Sequence, residues 1–259
     1  MTNSPTLKYA IGVVGVLLSL SVWQLAATVG PMAAAPLPSV TESFAALGGL
    51  IGTAQLWQAT ADTVVMAIIG LALATAVGIV LGIGIGVSPL AMHATRVPLE
   101  FLKPIPPIVV LPITVLVMGP TMAMGIFLIF IGSFVAIAVQ TSAGVFDTEP
   151  VLRDTGRSYG MRRGEVLGRI VLPSALPYIG TAIRVSAPVS LVIAVVAGLL
   201  GGSPGLGKSI FLAQVSGRQD VLFAYVIVLG VLGLIFQWLS QYGEQKLLYW
   251  HPQYRKEAA

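Results

Sequence analysis

The chain has 259 residues, of which 56% are hydrophobic and only 9% are charged, with a formal net charge of +4. Soluble domains carry roughly 25% charged residues, and a water-soluble core of this size cannot bury so much apolar side chain. The composition therefore predicts an all-α integral membrane protein. The absence of cysteine excludes disulfides, thiol nucleophiles and cysteine-ligated metal sites.

A membrane-crossing helix needs about 20 mostly apolar residues. Six stretches come near or exceed that length: 10–29, 63–87, 105–118, 123–140, 183–200 and 222–240. We interpret residues 1–259 as a single transmembrane domain of about six spans. The first stretch is longer than the apolar region of a secretory signal peptide, so we favour a retained span, although the alanines at 33–35 resemble a cleavage site.

The positions of the charges predict the orientation. Six spans put both termini on one face, and cytoplasmic segments are rich in Lys and Arg. With the termini inside, only Lys208 and Arg218 of the 14 Lys and Arg residues fall in outer segments. We therefore expect cytoplasmic termini and a cytoplasmic segment 141–182. On the outer side, Ser39 or Thr41 could cap a short surface helix with Glu42 in its first turn.

Small residues recur at every fourth position of the second stretch. They are Gly70, Ala74, Gly78, Gly82 and Gly86. Residues four apart share one helix face, and small side chains let two membrane helices approach closely. The pattern predicts a helix–helix contact.

The spans contain almost no ionisable side chains, since Asp62 and Arg184 lie at span ends. Ion-driven carriers usually place acids or histidines at mid-membrane. The sequence therefore offers no energy-coupling chemistry of its own. It also offers no paired carboxylates, metal cluster or nucleophile triad inside the membrane, so we predict no catalytic residue and no metal ligand.

Residues 202–209 read GSPGLGKS and match the phosphate-loop pattern G-x-x-x-x-G-K-[ST]. That loop works only when a strand delivers it and a helix follows, so that backbone N–H groups surround the phosphates. Here an apolar span precedes it, on the predicted outer side. We interpret it as a glycine-rich turn between the fifth span and an outer helix.

The segment 150–173 is polar and basic but too short for an enzyme domain. We expect one short helix over 151–159, a corner at Gly160, and a second helix over 165–171 that Pro173 stops. Two short helices with a glycine corner would form a compact knob on the cytoplasmic face. A basic loop that only sets the orientation is the alternative.

The second half of this segment resembles the ABC importer permease signature, E-A-A-x3-G-x9-I-x-L-P. Gly160, Ile170, Leu172 and Pro173 stand at its fixed positions. The first half departs, because Asp154-Thr155-Gly156 replaces Glu-Ala-Ala with poorer helix formers. The departure bears on the regularity of the first short helix.

Other segments resemble the sulfonate, taurine and nitrate permeases of this family. They are residues 56–58, 103–107, 111–112 and 203–207, the last of which accounts for the phosphate-loop pattern. Where this subfamily often has an acid before that loop, the chain has Gly198.

The resemblance implies a type I importer permease fold and a set of partners. A second permease copy, expected to be identical, would enclose the path, and a cytoplasmic ATPase dimer would grip the knob. An external binding protein would deliver a small solute: an anion such as a sulfonate, taurine or nitrate, or a vitamin precursor. ATP and magnesium would be bound by the ATPase rather than by this chain, and no nucleic acid would be involved. The location implied is the bacterial inner membrane.

The same resemblance implies which residues couple to the ATPase: Asp154, Thr155, Gly156, Arg157, Gly160, Ile170, Leu172 and Pro173. We expect Asp154 to cap or charge the docking helix, and Ile170 and Leu172 to anchor the knob to the spans. A side chain at Gly160 would clash or straighten the corner. Arg162 and Arg163 are weaker candidates.

Polar residues in spans three to five are candidates for the substrate path: Thr114, Ser133, Gln140, Ser186 and Ser190. Ser and Thr in membrane helices often bond only to nearby backbone, so packing is the competing interpretation. Two other classes of function stay open at this point. A self-sufficient channel or carrier would show broken spans or inverted repeats, and an intramembrane enzyme or assembly scaffold would need other features.

Overall fold

A computed structural model describes residues 5–29 and 37–250. Every regular element within them is helical, which confirms the predicted all-α class. The possible cleavage site at 33–35 lies outside these residues. The helices are α1 Pro5–Thr28, α2 Val40–Ile51, α3 Ala54–Gly86, α4 Pro89–Leu102, α5 Pro107–Met118, α6 Met122–Phe146, α7 Pro150–Ser158, α8 Arg163–Val166, α9 Leu172–Gly201, α10 Leu206–Val215 and α11 Gln219–Leu247.

Five helical runs among these residues are long and apolar enough to cross a membrane, and there are six if α4 and α5 form one broken span. The five are α1, α3, α6, α11 and the run Arg163–Gly201. The third apolar stretch corresponds to α5, which has only 12 residues. Helix α4 meets α5 at an angle of 82°. Several helices extend beyond the apolar stretches, as α3 does from its cap at Thr53, because hydropathy marks only the part that suits lipid.

The small residues of α3 face α6, as their spacing predicts. Gly70, Ala74, Gly78, Gly82 and Gly86 are all buried. A β-carbon on Gly82 would lie 2.5 Å from the β-carbon of Thr141, and one on Gly70 would lie 2.6 Å from that of Ile129. This stripe therefore acts in packing, and α3 with α6 forms the centre of the bundle, against which α9 also packs.

The end of the bundle where α3 begins and α9 ends carries α2 and α10. Ser39 caps α2, and Glu42 accepts hydrogen bonds from the Ser39 N–H (2.8 Å) and hydroxyl (2.9 Å). The predicted short helix is therefore present, with Ser39 as its cap. These two donors lower the pKa of Glu42 below its usual 4.5, the backbone N–H contributing most.

The chain after α8 does not form a separate helix that ends at Pro173, so that prediction was wrong. A π-helical turn, Leu167–Val171, joins α8 directly to α9, and Pro173 lies in the first turn of α9. Proline disrupts an α-helix because its ring meets the carbonyl four residues back. The widened turn just before Pro173 relieves that contact, so the helix continues from Arg163 to Gly201.

Candidate functional site

A knob formed by α7, the corner after it and α8 stands at one end of the bundle, and we refer to residues 150–166 as the knob. Pro150 occupies the first turn of α7, where a missing N–H costs nothing. Gly160 makes the corner with a φ of 80°, and the Met161 N–H closes it on the Gly156 carbonyl at 3.1 Å. The Glu165 carboxylate then accepts from the Arg162 N–H at 2.8 Å and begins α8.

Gly156 explains the departure from Glu-Ala-Ala. It is the buried residue of α7, and a β-carbon there would lie 2.6 Å from Cδ1 of Ile170. Ile170 therefore does pack against the knob, in an apolar cluster that includes the knob residues Val166 and Met161. Leu172 is half-buried but lies outside this cluster, so its predicted anchoring role is not seen. The helix is regular despite the glycine.

Asp154 does not cap α7, which overturns the first of its two expected roles, and it adds a charge to the helix instead. It lies a full turn inside the helix, where the first-turn N–H groups are out of its reach. Its exposed carboxylate instead accepts from Arg157 at 3.2 Å. Thr155 is exposed beside it. Gly160 also has open space around it, so a side chain there would be strained by the positive φ and would not clash.

Polar contacts that the sequence analysis missed attach the knob to the bundle. The Arg153 guanidinium donates to the carbonyls of Val145 and Phe146 at the end of α6, where a helix dipole favours a cation. At the same end of the bundle, the Tyr178 hydroxyl of α9 donates to Asp147, which follows α6, at 3.3 Å. A basic residue soon after a helix end was the available signal for Arg153.

The surface of the knob combines apolar and basic groups. Tyr159 is 86% exposed and Val151 is 71% exposed, on a segment that also carries four arginines, Asp154 and Glu165. Arg153, Arg157 and Arg163 line a cavity of about 370 Å³ beside it. Exposed apolar groups on a polar segment outside the spans are typical of a protein contact, and neither Tyr159 nor Val151 was among the predicted site residues.

The predicted path residues fall into two groups. Thr114 and Ser190 are buried and donate to the carbonyls of Leu111 (2.8 Å) and Ala187 (2.7 Å). Ser133 is buried too, and its hydroxyl has no hydrogen-bond partner within the described residues. The bonds of Thr114 and Ser190 agree with the packing interpretation, whereas the role of Ser133 stays a prediction.

Gln140 and Ser186 line a common cleft of about 180 Å³, which we call the polar cleft. Its complete lining is Lys103, Ala136, Val139, Gln140, Thr181, Ala182, Val185 and Ser186. A second cavity of about 300 Å³ is apolar and is lined by further residues of α5, α6 and α9, including Val189 and Val192. The sequence analysis thus found two of the polar residues that the structure brings together.

A buried ion pair joins α9 to α11. Arg184 lies 2.7 Å from the carboxylate of Glu244, which is only 6% exposed, and the Thr181 hydroxyl donates to the same carboxylate at 2.9 Å. The place of Arg184 at a span end suggested a side chain that reaches the membrane interface. The structure pairs it with Glu244 instead. Besides Asp220, Glu244 is the only acidic residue of α11, and that isolated acid was the signal in the sequence.

The loop 202–209 does not have the geometry of a phosphate loop. Helix α9 precedes it, and Gly202 ends that helix with a φ of 73°. The N–H groups of Leu206 and Ser209 already donate to Thr63 Oγ1 (2.8 Å) and to the Gly205 carbonyl (3.2 Å). A β-carbon on Gly207 would lie 2.1 Å from the Val195 carbonyl oxygen. The glycines here permit close packing.

Gly198 faces the same contact. A β-carbon on it would lie 2.9 Å from the Lys208 backbone nitrogen. A carboxylate at position 198 would therefore force α10 away from α9. In the described residues there is also no cluster of three or more His, Asp or Glu side chains able to hold a metal ion.

Comparison with known proteins agrees with this architecture. Residues 74–249 match the family described as "Binding-protein-dependent transport system inner membrane component". A putative ABC transporter permease of Methanocaldococcus jannaschii is 33% identical over 78% of this chain and 76% of its own length. The taurine transport system permease TauC of Escherichia coli is 30% identical over 93% of this chain and 89% of its own.

Solved structures show the same fold at low sequence identity. A bacterial ABC transporter involved in alginate import has a TM-score of 0.66 and 15% identity, with 94% of this chain and 98% of that chain covered. An amino acid ABC transporter has a TM-score of 0.64 and 18% identity, with 77% and 97% covered. In these systems the ATPase is a separate subunit, so the carrier and enzyme alternatives are set aside. The chain belongs to the binding-protein-dependent transport family and is the inner-membrane permease component of an ABC importer.

Proposed function

We propose that the knob is the surface on which a cytoplasmic ATPase dimer docks, and that movement of the knob opens and closes the path. The observation that carries this proposal is the exposure of Tyr159 and Val151 on a polar knob. A docked protein would cover these side chains. The three arginines of the adjoining cavity would meet acidic groups of the ATPase.

The predicted coupling residues have different roles in this proposal. Gly160 and Gly156 shape the knob, Ile170 fixes it to the π-helical turn, and Asp154 with Arg157 forms part of its exposed charged face. Pro173 belongs to the helix that would transmit the movement, since the run from Arg163 to Gly201 is continuous. Thr155 and Leu172 remain candidates by position alone.

Three further elements complete the proposed transporter. A second copy of this chain would face the exposed apolar surfaces of α5 and α9, such as Leu116 and Val192, and enclose the cavities between them. An external binding protein would deliver the solute at the end that carries α2 and α10. ATP and magnesium would be bound by the ATPase, and both termini would be cytoplasmic, as the distribution of Lys and Arg suggests.

We propose a small anion as the solute. Relatives are named for taurine, aliphatic sulfonates and nitrate, with identities of 27–30%. A path without acidic groups suits such a solute, and the binding protein would supply most of the specificity.

The docking proposal is tested by purifying the tagged chain from its own membranes and measuring the ATPase that accompanies it. Tyr159→Asp and Val151→Asp should each reduce the co-purified ATPase at least about tenfold, because an unpaired acid in an apolar contact is costly. Both side chains are exposed, so the thermal unfolding midpoint of the permease should change little.

Val215→Asp is the matched control, since Val215 is also exposed but lies at the opposite end of the bundle. It should leave the ATPase bound. Equal retention of the ATPase by all three variants would contradict docking on the knob.

A further inference from the structure

We infer that the polar cleft is a binding site for a small monoanion, so that the transported solute presents a carboxylate, sulfonate or nitrate-like group to this chain. The inference deepens the proposed function, on which it rests. It assigns to Lys103 and Ser186 the recognition of charge within the membrane domain.

The groups around the polar cleft are rich in hydrogen-bond donors. Lys103 brings an ammonium, Gln140 an amide and Ser186 a hydroxyl. Within residues 5–29 and 37–250, the side chains of these three have no hydrogen-bond or ion-pair partner. Ser186 is only 5% exposed. Among the described residues, Ser186 Oγ is not one of the fully buried atoms that lack a hydrogen-bond partner, so this hydroxyl opens to the cleft and can donate to a group that enters it.

The charge of the cleft selects for an anion. Lys103 is its one cationic lining residue, and none of the described residues that line it is acidic. Glu244 stands behind Thr181, but Arg184 compensates its charge at 2.7 Å. One uncompensated positive charge with neutral donors around it matches a single negative charge on several oxygens.

The position of Lys103 also fits a solute site. It lies at the end of α4, where the broken helix pair turns by 82° into α5. Irregular backbone within a membrane domain is tolerated where it lines a cavity, and ionisable groups there usually mark a solute pathway. The break thus brings a cation that is unpaired among the described residues to α6, which carries no charged side chain, and to α9, whose one cation, Arg184, is paired with Glu244.

The polar cleft lies along a continuous surface of α9. Val185 and Ser186 line it, while Val189 and Val192, one and two turns further along, line the apolar cavity. The cleft has a volume of about 180 Å³, which exceeds the roughly 10–15 Å³ that a single water needs. It can therefore admit a small solute.

The inference is tested on the purified full-length chain in a neutral detergent, using ethanesulfonate as probe and its uncharged analogue ethyl methyl sulfone as control. The thermal unfolding midpoint is followed against probe concentration at constant ionic strength set with chloride. Ethanesulfonate should raise the midpoint saturably, and the sulfone should not.

Variants locate the effect. Lys103→Gln should raise the half-saturating concentration of ethanesulfonate about tenfold, as expected for loss of one charge-assisted contact. Lys103→Arg should retain most of the effect, and Ser186→Ala should weaken it less than Lys103→Gln. Lys208→Gln, an exposed lysine on α10, is the matched control and should behave as the wild type.

Each other outcome overturns the inference. Stabilisation that is equal in Lys103→Gln and wild type places the anion elsewhere, and stabilisation by phosphatidylglycerol but not by ethanesulfonate assigns the cleft to a lipid headgroup. No saturable response to the anion removes the site. Co-purification of an ATPase with Lys103→Gln is measured in parallel, because its presence leaves the proposed function standing even when the anion site fails.

Discussion

Charged side chains attach the knob to α6 and α11 to α9, whereas α10 is attached to α9 by direct contact between backbones. Arg153 bonds to the last carbonyls of α6, and Arg184 pairs with Glu244. By contrast, Gly207 of α10 lies against the Val195 carbonyl with no room for a side chain. Each of these two regions contains a motif with conspicuous glycines, the loop 202–209 in one and the importer signature in the other. Only the signature forms an exposed surface.

This difference teaches how to interpret such motifs in a membrane protein. Contacts through long side chains tolerate small displacements, which suits a segment that must move with a partner. Contacts between backbones tolerate almost none, because packed interiors are not continuously deformable. The following substitutions test the contrast, beginning with the one expected to have the largest effect.

Gly207→Val should prevent stable folding. The new β-carbon would meet the carbonyl oxygen of Val195 at 2.1 Å and the backbone nitrogen of Leu199 at 2.8 Å, and no side-chain rotation can relieve a contact with backbone. We expect a loss of about 3 kcal/mol or more in the free energy of unfolding, seen as a lower yield of monodisperse protein and a lower unfolding midpoint. Gly164→Val on the knob, where a β-carbon meets nothing within 4 Å, is the matched control. Similar unfolding midpoints for Gly207→Val and Gly164→Val would contradict the difference between α10 and the knob.

Glu244→Ala should destabilise the chain by about 2 kcal/mol, because it leaves the Arg184 guanidinium without its carboxylate and the Thr181 hydroxyl without its acceptor. Partial exposure of Arg184 keeps the loss below the 3–5 kcal/mol typical of fully buried pairs. Thermal unfolding of Glu244→Ala, Arg184→Ala and the double variant measures the coupling. If the two single losses simply add, the pair does not join α9 to α11.

Gly156→Ala and Ile170→Val should be coupled by about 1 kcal/mol. Alanine favours the helix over glycine, but its β-carbon would lie 2.6 Å from Cδ1 of Ile170. Shortening residue 170 removes that atom, so the double variant should be more stable than Gly156→Ala alone. Unfolding midpoints of the four proteins test this. Independent effects would show that Ile170 does not shape the knob.

The smallest expected effect concerns Glu42 in the capping box of α2. Because the pKa of Glu42 is lowered on folding, its contribution to stability is present above the unfolded pKa near 4.5 and is lost as the pH falls through the lower folded value. The midpoint difference between wild type and Glu42→Gln should therefore be seen at pH 7 and should shrink below pH 4.5. A difference that grows on acidification would have the wrong sign for this cap.

Apolar length and spacing were sufficient to predict the helical class and a close contact made by the small residues of α3, and the capping residues were sufficient to predict α2. The knob was predictable because Gly160 and Ile170 stand in a recognisable pattern. The role of Pro173 was not predictable, since a π-helical turn depends on a hydrogen-bond pattern that no residue type indicates. The ends of α3 and α6 were missed because these helices continue beyond the apolar residues.

The site was predictable only where side-chain type determines behaviour. Thr114 and Ser190 bond to their own helices, as membrane hydroxyls often do, and their sequence does not distinguish them from Ser186, which lines the polar cleft. The contribution of Lys103 depends on the 82° break between α4 and α5. The pairing of Arg184 with Glu244 joins residues far apart in the chain, and local pattern carries no information about such contacts.

Labelling of single introduced cysteines tests the central claim most directly, because the chain has no cysteine of its own. Ser158→Cys places a thiol at the exposed end of α7, and Ser216→Cys places one after α10 at the opposite end. An impermeant maleimide is applied to inside-out vesicles that contain the whole transporter, before and after the ATPase is stripped away. The account predicts that Ser158→Cys is labelled from the cytoplasmic side only after stripping, and that Ser216→Cys is labelled only in right-side-out vesicles. Labelling of Ser158→Cys from the outside, or equal labelling with the ATPase in place, would contradict a knob that docks the ATPase.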